Sequence, residues 1–103
     1  MKMKHILTAT ALVAASGLVQ AQIDPLQARS LAASCAACHG TDGRAQPGGM
    51  VSLAGSNKND MIKKMQDYKA GRIPAATIMH QLAKGYTDEQ IEAIAGYFAA
   101  QKR

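Results

Sequence analysis

The clearest pattern of hydrophobic positions lies near the C-terminal end of the chain. Apolar residues recur there at i, i+3, i+4 and i+7, the spacing of one buried face of an α-helix: Ile91, Ile94, Ala95 and Phe98. The residues before this stripe form a capping box, with Thr87 as N-cap and Gln90 as the third helical residue. A final amphipathic helix is therefore predicted directly after Thr87. Gly96 lies inside it at a cost of about 1 kcal/mol relative to alanine, and a close crossing with another helix is one reason to keep it.

A second helical pattern begins far earlier in the chain, at residue 24. Asp24 followed by Pro25 is typical of an N-cap with a proline at the first helical position. The segment from Leu26 to about Cys35 is rich in Ala, Leu, Gln and Arg, which are good helix formers. A helix is predicted there, followed by an irregular loop over residues 40–55. The loop is long enough to wrap around another group, and its helix breakers are Gly40, Gly43, Pro47, Gly48, Gly49 and Gly55.

A third helix is predicted from Asn59 to Ala70, capped by Asn59 or Asn57 and ended by Gly71 at the C′ position. Its apolar face is formed by Met61, Ile62, Met65 and Tyr68. Residues 72–86 contain a proline and a glycine and have no clean period. They are predicted to be a loop with at most one short turn. No segment has the alternation of a strand, so the predicted fold class is all-α.

The first 21 residues follow a different pattern. A basic start with Lys2, Lys4 and His5 is followed by an apolar run over residues 6–19 and by small residues where a signal peptidase cleaves. The run is too short for a comfortable membrane span, which needs about 20 apolar residues. We predict a secretory signal peptide at residues 1–21, and one domain with no membrane span at residues 22–103. A retained N-terminal anchor is the alternative.

Composition and charge narrow the function of the predicted mature chain. About 80 residues, without tryptophan and with one phenylalanine, form a small core that usually needs a disulfide, a metal or a large cofactor. The leader holds two of the twelve basic residues and none of the seven acidic ones, which leaves ten against seven and a formal charge of +3. This charge is too weak and scattered to indicate nucleic-acid binding. It favours solubility, with some steering toward an acidic partner.

The strongest motif is Cys35-Ala-Ala-Cys38-His39, which is the attachment signature of c-type haem. Two thiols three positions apart project from one helical turn, so each can add to one of two neighbouring vinyl groups, and His39 then serves as proximal iron ligand. A redox dithiol needs no adjacent histidine and usually occurs in a βαβ context. A structural zinc site needs four ligands, which the few histidines do not supply. One covalently attached haem c is therefore the predicted cofactor.

The second axial ligand of an electron-carrying haem is often a methionine, which raises the reduction potential. The predicted mature chain offers Met50, Met61, Met65 and Met79. The two in the predicted helix are more typical of core packing. Met50 follows the proximal histidine closely, in a loop that would more naturally cover the proximal side. Met79 lies 40 residues after His39 in an irregular segment, which leaves room to cross to the other face. Met79 is the predicted distal ligand, with Met50 next.

Three further residues border the predicted site. His80 adjoins Met79 and could compete for the iron, although a packing or solvent-facing role is the preferred interpretation. Pro47 and Pro74 open segments that should border the haem. A carbonyl of either segment could orient His39, as outer-sphere partners of metal ligands do, but a plain rigid turn is the simpler reading of both prolines.

These features together resemble the class I cytochromes c, over residues 23–102. Three runs, at residues 31–43, 53–55 and 76–91, more particularly resemble the cytochrome subunit of flavocytochrome c sulfide dehydrogenase, and less closely one half of the tandem two-haem cytochromes c. The resemblance implies three to four helices and loops wrapped round one covalent haem, with the first and last helices crossing tightly. It also implies thioether bonds at Cys35 and Cys38, His39 as proximal ligand and Met79 as distal ligand.

The function expected from this resemblance is single-electron transfer in the periplasm, without catalysis on this chain. The implied partner is an FAD-containing sulfide dehydrogenase subunit that oxidises sulfide and passes its electrons to the haem. A free-standing carrier to a terminal oxidase or reductase is the alternative. A haem peroxidase is a further alternative from another class, and it requires an open distal site. A haem-based gas sensor would need a signalling domain, for which the sequence shows no pattern.

Overall fold

The computed structural model describes residues 22–103, and the predicted signal peptide at residues 1–21 lies outside the described residues. Five α-helices lie within these described residues: α1 (Pro25–Ala32), α2 (Ala36–His39), α3 (Lys58–Lys69), α4 (Ile78–Lys84) and α5 (Asp88–Ala99). A 3-10 turn at Ala33–Cys35 joins α1 to α2, and another at Thr41–Gly43 follows α2. Residues 22–103 contain no strand, so the predicted all-α class is confirmed.

Side-chain caps begin three of these helices. At α5 the predicted box is present, because the amide of Gln90 donates to Thr87 Oγ1 over 3.1 Å and the amide of Thr87 donates to Gln90 Oε1 over 2.9 Å. At α1 the predicted N-cap Asp24 accepts from the amide of Gln27 over 2.9 Å. Gln27 Oε1 also accepts from the amide of Asp24 over 3.1 Å, which makes a second capping box that sequence analysis missed.

The structure shows which of the two candidate asparagines caps α3. Asn57 is the N-cap, since its Oδ1 accepts from the amide of Asp60 over 3.1 Å. The helix therefore starts one residue earlier than predicted and ends at Lys69, with Ala70 as its C-cap. Gly71 follows with a φ of 71°, the left-handed conformation expected of the C′ residue.

Helix α4 corrects the prediction of a loop over residues 72–86. Ile78–Lys84 is helical although Thr77, its N-cap, makes no side-chain hydrogen bond. Its apolar residues Ile78, Met79, Leu82 and Ala83 recur at helical spacing, but the helix has only seven residues and Ala83 is the one that is buried. The helix packs against α3, and this tertiary contact stabilises a segment whose local pattern is weak.

The core lies where α5 packs against α1 and α3. The predicted stripe Ile91, Ile94, Ala95 and Phe98 is buried in full. Five of the eight buried apolar residues in the described chain are alanines: Ala28, Ala32, Ala54, Ala83 and Ala95. An alanine side chain buries little apolar area, so this core buries little apolar surface for a stable domain. That is expected of a fold built around a large cofactor.

Gly96 lies on α5 beside Lys58, and not against the backbone of another helix. A Cβ built at this glycine would lie 3.6 Å from Lys58 Cε, an ordinary van der Waals contact. The contact between α1 and α5 therefore does not require a glycine at this position. Within residues 22–103, none of the helices combines the length and the apolar character needed to cross a membrane.

Candidate haem-binding site

The attachment motif occupies the joint between α1 and α2. Cys35 ends the 3-10 turn, and Cys38 and His39 are the last two residues of α2. Both cysteines are free thiols, Cys35 half-buried and Cys38 exposed. Burial raises the pKa of the Cys35 thiol, and a hydrogen bond involving Ser34 offsets part of this rise. A raised pKa is the opposite of what a redox dithiol needs, because such a site uses a thiolate. The Cys35 thiol therefore lacks the lowered pKa that is typical of a redox dithiol.

His39 is oriented by a backbone carbonyl. Its Nδ1 lies 2.6 Å from the carbonyl oxygen of Val51. Since a carbonyl only accepts, the proton is on Nδ1 and the lone pair is on Nε2. This is the tautomer that an iron ligand requires, with the donor to the carbonyl fixing the ring. The carbonyl comes from Val51, so the segment that Pro47 opens supplies it and the segment that Pro74 opens does not.

The turn after His39 is tightly constrained. Gly40 has a φ of 82°, and a Cβ there would overlap the carbonyl of Arg44. Asp42 has a φ of 53°, the one positive φ of a non-glycine residue in the described chain. Left-handed backbone at such a residue costs roughly 1 kcal/mol or more, so the surrounding structure must hold it in place.

Helix α5 supplies that restraint. The Tyr97 hydroxyl donates a short hydrogen bond to Asp42 Oδ1. Arg44 pairs with the same carboxylate, Nη1 lying 3.6 Å from Oδ2, and its Nε donates to the carbonyl of Lys102 over 2.8 Å. The hydrogen bond to Asp42 raises the pKa of Tyr97, and burial adds to the rise. The turn that carries His39 is thus fixed to the C-terminal end of the fold.

Met79 and His80 lie in the first turn of α4, both half-buried. Consecutive helical side chains diverge by about 100°, so the two residues face different surroundings. The His80 ring packs against Tyr68 of α3, with the ring centroids 6.0 Å apart. This contact fits packing, one of the two roles expected of His80. Its Nε2 is buried and has no hydrogen-bond partner among residues 22–103.

Large apolar side chains of the loop after the motif and of α4 are exposed. Met50 and Val51 are 57% and 73% exposed, and Ile78 and Leu82, which flank Met79 on α4, are 67% and 49% exposed. Exposed apolar side chains of this size can belong to a surface that another group covers. A flat apolar macrocycle would cover them. The two free thiols and the free Nε2 of His39 are the donors that a covalent haem requires, so these residues fit the group.

The sequence matches the cytochrome c family over residues 27–102. The chain therefore belongs to the cytochrome c family, as its fold and its Cys-x-x-Cys-His motif indicate. It carries one covalently attached haem c. Such a group supplies reversible one-electron chemistry.

The relatives are cytochromes of several kinds. Cytochrome c4 of Azotobacter vinelandii is 32% identical over 107 residues, covering 96% of this chain and 51% of the relative. The cytochrome subunit of sulfide dehydrogenase of Chlorobaculum tepidum is 41% identical over 68 residues, which is 66% of this chain and 60% of the relative. Cytochrome c-553 of Nitratidesulfovibrio vulgaris is 30% identical over 100 residues, which cover 94% of this chain and 98% of the relative. The chain spans about half the length of the cytochrome c4 relatives that it matches.

Sequence reasoning missed two parts of the site. The Val51 carbonyl is a backbone group, and no side-chain pattern in the sequence identifies it. The hydrogen bond from Tyr97 to Asp42 joins residues 55 positions apart, which no local pattern reveals. One signal was available for the second part, because Asp42 stands between Thr41 and Gly43 in a turn-forming sequence where a left-handed aspartate is tolerated.

Proposed function

We propose that this protein is the periplasmic haem subunit that accepts single electrons from a sulfide-oxidising flavoprotein. In this proposal Cys35 and Cys38 hold the haem through thioether bonds, and His39 and Met79 are the proximal and distal iron ligands. The observation that carries the ligand assignment is the hydrogen bond from His39 Nδ1 to the Val51 carbonyl.

That hydrogen bond bears on the choice between two methionines. Met50 directly precedes Val51, so it belongs to the loop that lies beside the proximal histidine. Met79 belongs to a separate element, α4, where its neighbours Ile78 and Leu82 are exposed apolar side chains. A methionine on a different element from the proximal loop is the better candidate to approach from the opposite side. This supports Met79 over Met50.

The proposed ligand pair also bears on the class of function. With His39 and Met79 as its two ligands, the haem iron would have no open position for a substrate or a peroxide. The role left to this chain is to hold the redox group, to exclude water from it and to present it to partners. The peroxidase alternative requires that Met79 is not a ligand.

The partner is proposed from the relative in Chlorobaculum tepidum, named as the cytochrome subunit of sulfide dehydrogenase. It has the highest identity of the relatives described above, at 41%. A free-standing carrier is the second candidate, because the relatives named only as cytochromes match more of this chain, 96% and 94% against 66%. Export to the periplasm rests on the signal-peptide pattern of residues 1–21 and on the covalent attachment of the haem.

The test is to purify the protein gently from the periplasm of its native cell and to record its visible spectrum before and after adding sulfide. We expect a co-purifying flavin absorbance and a haem that sulfide reduces. A flavin-free protein that sulfide leaves oxidised but ascorbate reduces would exclude the sulfide dehydrogenase role and leave the free carrier. The N-terminal residue of the purified protein, read by mass spectrometry, checks the predicted cleavage before Gln22.

A further inference from the structure

A groove of about 840 Å³ is lined mainly by residues of α1 and α5. Among the described residues that line it, none is a proposed haem attachment site or iron ligand. The exposed apolar side chains that the haem is expected to cover are not part of it either: Met50, Val51, Ile78 and Leu82. The groove is therefore a surface feature separate from the haem site.

Both helices contribute small side chains to the groove. Pro25 and Ala28 belong to α1, and Ala93 and Gly96 belong to α5. Positions 93 and 96 lie within about 60° of each other around the helix axis, so they share one face of α5. Helix axes can approach each other more closely where the side chains between them are small. The groove therefore has room for a helix of another chain.

Charged side chains of both signs line the groove in equal number: Arg29, Lys58, Glu89 and Glu92. Lys58 and Glu92 pair with each other, with Nζ lying 3.5 Å from Oε1. Arg29 and Glu89 are exposed, and neither makes an ion pair or a side-chain hydrogen bond with any of residues 22–103. One cation and one anion of the groove are thus left to bind a partner.

These two charges lie at different levels along α5. Glu89 belongs to the first turn of the helix. Arg29 lies near Tyr97, because both residues line this groove and a smaller cavity of about 180 Å³ beside it. Tyr97 follows Glu89 by eight positions, which is about 12 Å along the helix. Ala93, one of the small groove residues, is midway between them.

We infer that two copies of this cytochrome associate through this groove, with their α5 helices antiparallel across a twofold axis near Ala93. A twofold interface is self-complementary, so a contact from one residue to another occurs twice. Rotation about an axis at Ala93 brings Glu89 of each copy to the level of Tyr97 in the other. Glu89 then meets Arg29 of the second copy, and two equivalent ion pairs form.

The charge pattern favours a second copy over other occupants. A basic partner would bring a like charge to Arg29, and an acidic partner would bring a like charge to Glu89. An uncharged partner would cover both side chains without compensating either of them. A second copy in the antiparallel arrangement gives each of the two an opposite charge. Complementary charges of this kind fix the register of an interface.

The inference does not depend on the proposed function. Because the groove contains none of the proposed haem ligands, self-association leaves the haem site available to a redox partner. It is compatible with both candidate functions, the subunit of a sulfide-oxidising flavoprotein and the free-standing carrier. The two ideas can therefore fail separately.

The test measures the mass of the mature holoprotein in solution. Sedimentation equilibrium is recorded from about 5 µM to about 1 mM protein, a range that detects dissociation constants of a weak dimer. We expect the average mass to rise toward that of two copies as the concentration rises. Raising the ionic strength from about 20 to about 500 mM should weaken the dimer, because the ion pairs lie at exposed side chains.

Charge reversals test the pairing of Arg29 with Glu89. Glu89→Arg and Arg29→Glu should each weaken the dimer about tenfold or more, because each turns two attractions into two repulsions. The double variant that exchanges the two charges should return to within about threefold of the wild type. Far-ultraviolet circular dichroism and the Soret band of each variant confirm that the fold and the haem are retained.

A matched control separates this pairing from net charge. Lys64 is exposed on α3 and does not line the groove. Lys64→Glu combined with Glu89→Arg restores the net charge of the wild type without restoring an opposite charge for Arg29. This variant should remain about tenfold or more weaker than the wild type. Lys64→Glu alone should stay within about threefold.

Three outcomes would overturn the inference. The first is a wild-type protein that stays monomeric at about 1 mM and low salt. The second is a dimer that Lys64→Glu rescues as well as Arg29→Glu does, since net charge and not the groove would then control association. The third is a monomeric chain that co-purifies with a flavoprotein only while Glu89 is intact, which would assign the groove to that partner. This third result would support the proposed function while excluding the second copy.

Discussion

Removal of the Tyr97 hydroxyl tests how the turn that carries His39 is held. In Tyr97→Phe the aromatic contact with Phe98 is retained, where the ring centroids lie 5.2 Å apart, but the hydrogen bond to Asp42 is lost. A hydrogen bond to a charged acceptor contributes about 1.5–3 kcal/mol. The Asp42 side chain is 33% exposed and keeps its pairing with Arg44, so we expect the lower end of this range or slightly less.

The predicted loss is about 1–2 kcal/mol of unfolding free energy, or roughly 5–15 °C in Tm for a domain of this size. The assay is thermal and denaturant unfolding of the holoprotein at neutral pH, followed by far-ultraviolet circular dichroism. Tyr68→Phe is the matched control, because the Tyr68 hydroxyl makes no hydrogen bond within the described residues. Its loss should stay below about 0.5 kcal/mol.

The same interaction predicts a pH dependence. The hydrogen bond to Asp42 raises the pKa of Tyr97 above its usual value near 10.0. A group whose pKa is higher in the folded than in the unfolded state binds its proton more tightly when folded. The stabilisation is therefore complete below the unfolded pKa and is lost as pH rises through the folded pKa. The stability difference between wild type and Tyr97→Phe should shrink in that alkaline range and stay constant below it.

Three results would refute this reasoning. The first is a Tyr97→Phe variant no less stable than the Tyr68→Phe control. The second is a stability difference that persists unchanged through the tyrosine titration. The third is a double-mutant cycle of Tyr97→Phe with Asp42→Asn that gives no coupling, where contacting residues normally give about 0.5–3 kcal/mol. Asparagine suits this cycle because it tolerates the left-handed backbone of residue 42.

Three further predictions concern the turns, the ligands and α5. Gly43→Ala should destabilise the fold by about 2 kcal/mol or more in denaturant unfolding, since its Cβ would lie 2.8 Å from Phe98 Cδ1 and from the Ala54 amide. The control Gly71→Ala, also at positive φ but in open space, should cost only about 1 kcal/mol. Equal losses in the two variants would refute the steric argument. Met79→Ala should abolish the charge-transfer band of methionine-ligated ferric haem and lower the reduction potential. Met50→Ala should leave the band and the potential unchanged. The opposite result, with the band lost only in Met50→Ala, would make Met50 the ligand. Gly96→Ala should stabilise by up to about 1 kcal/mol, because the new Cβ meets only the Lys58 side chain, and a loss in thermal unfolding would show a close approach after all.

Local sequence was sufficient for the parts of this protein that depend on neighbouring residues. The caps at Asp24 and Thr87 act on amides three positions away, so each helix start could be predicted from a few residues. The stripe on α5 has a period that only a helix buries on one side. The attachment motif is itself a local pattern, because one helical turn holds both thiols and the histidine.

Tertiary structure decided what depends on residues far apart in sequence. Helix α4 is only seven residues long and lacks a side-chain cap, and its packing against α3 explains why it forms. The tautomer of His39 depends on the carbonyl of Val51, a group that every residue possesses and that only the path of the loop brings into place. The net charge of the mature chain follows from its sequence. The ion pair between Lys58 and Glu92, by contrast, joins residues 34 positions apart, and only the packing of α3 against α5 brings them together.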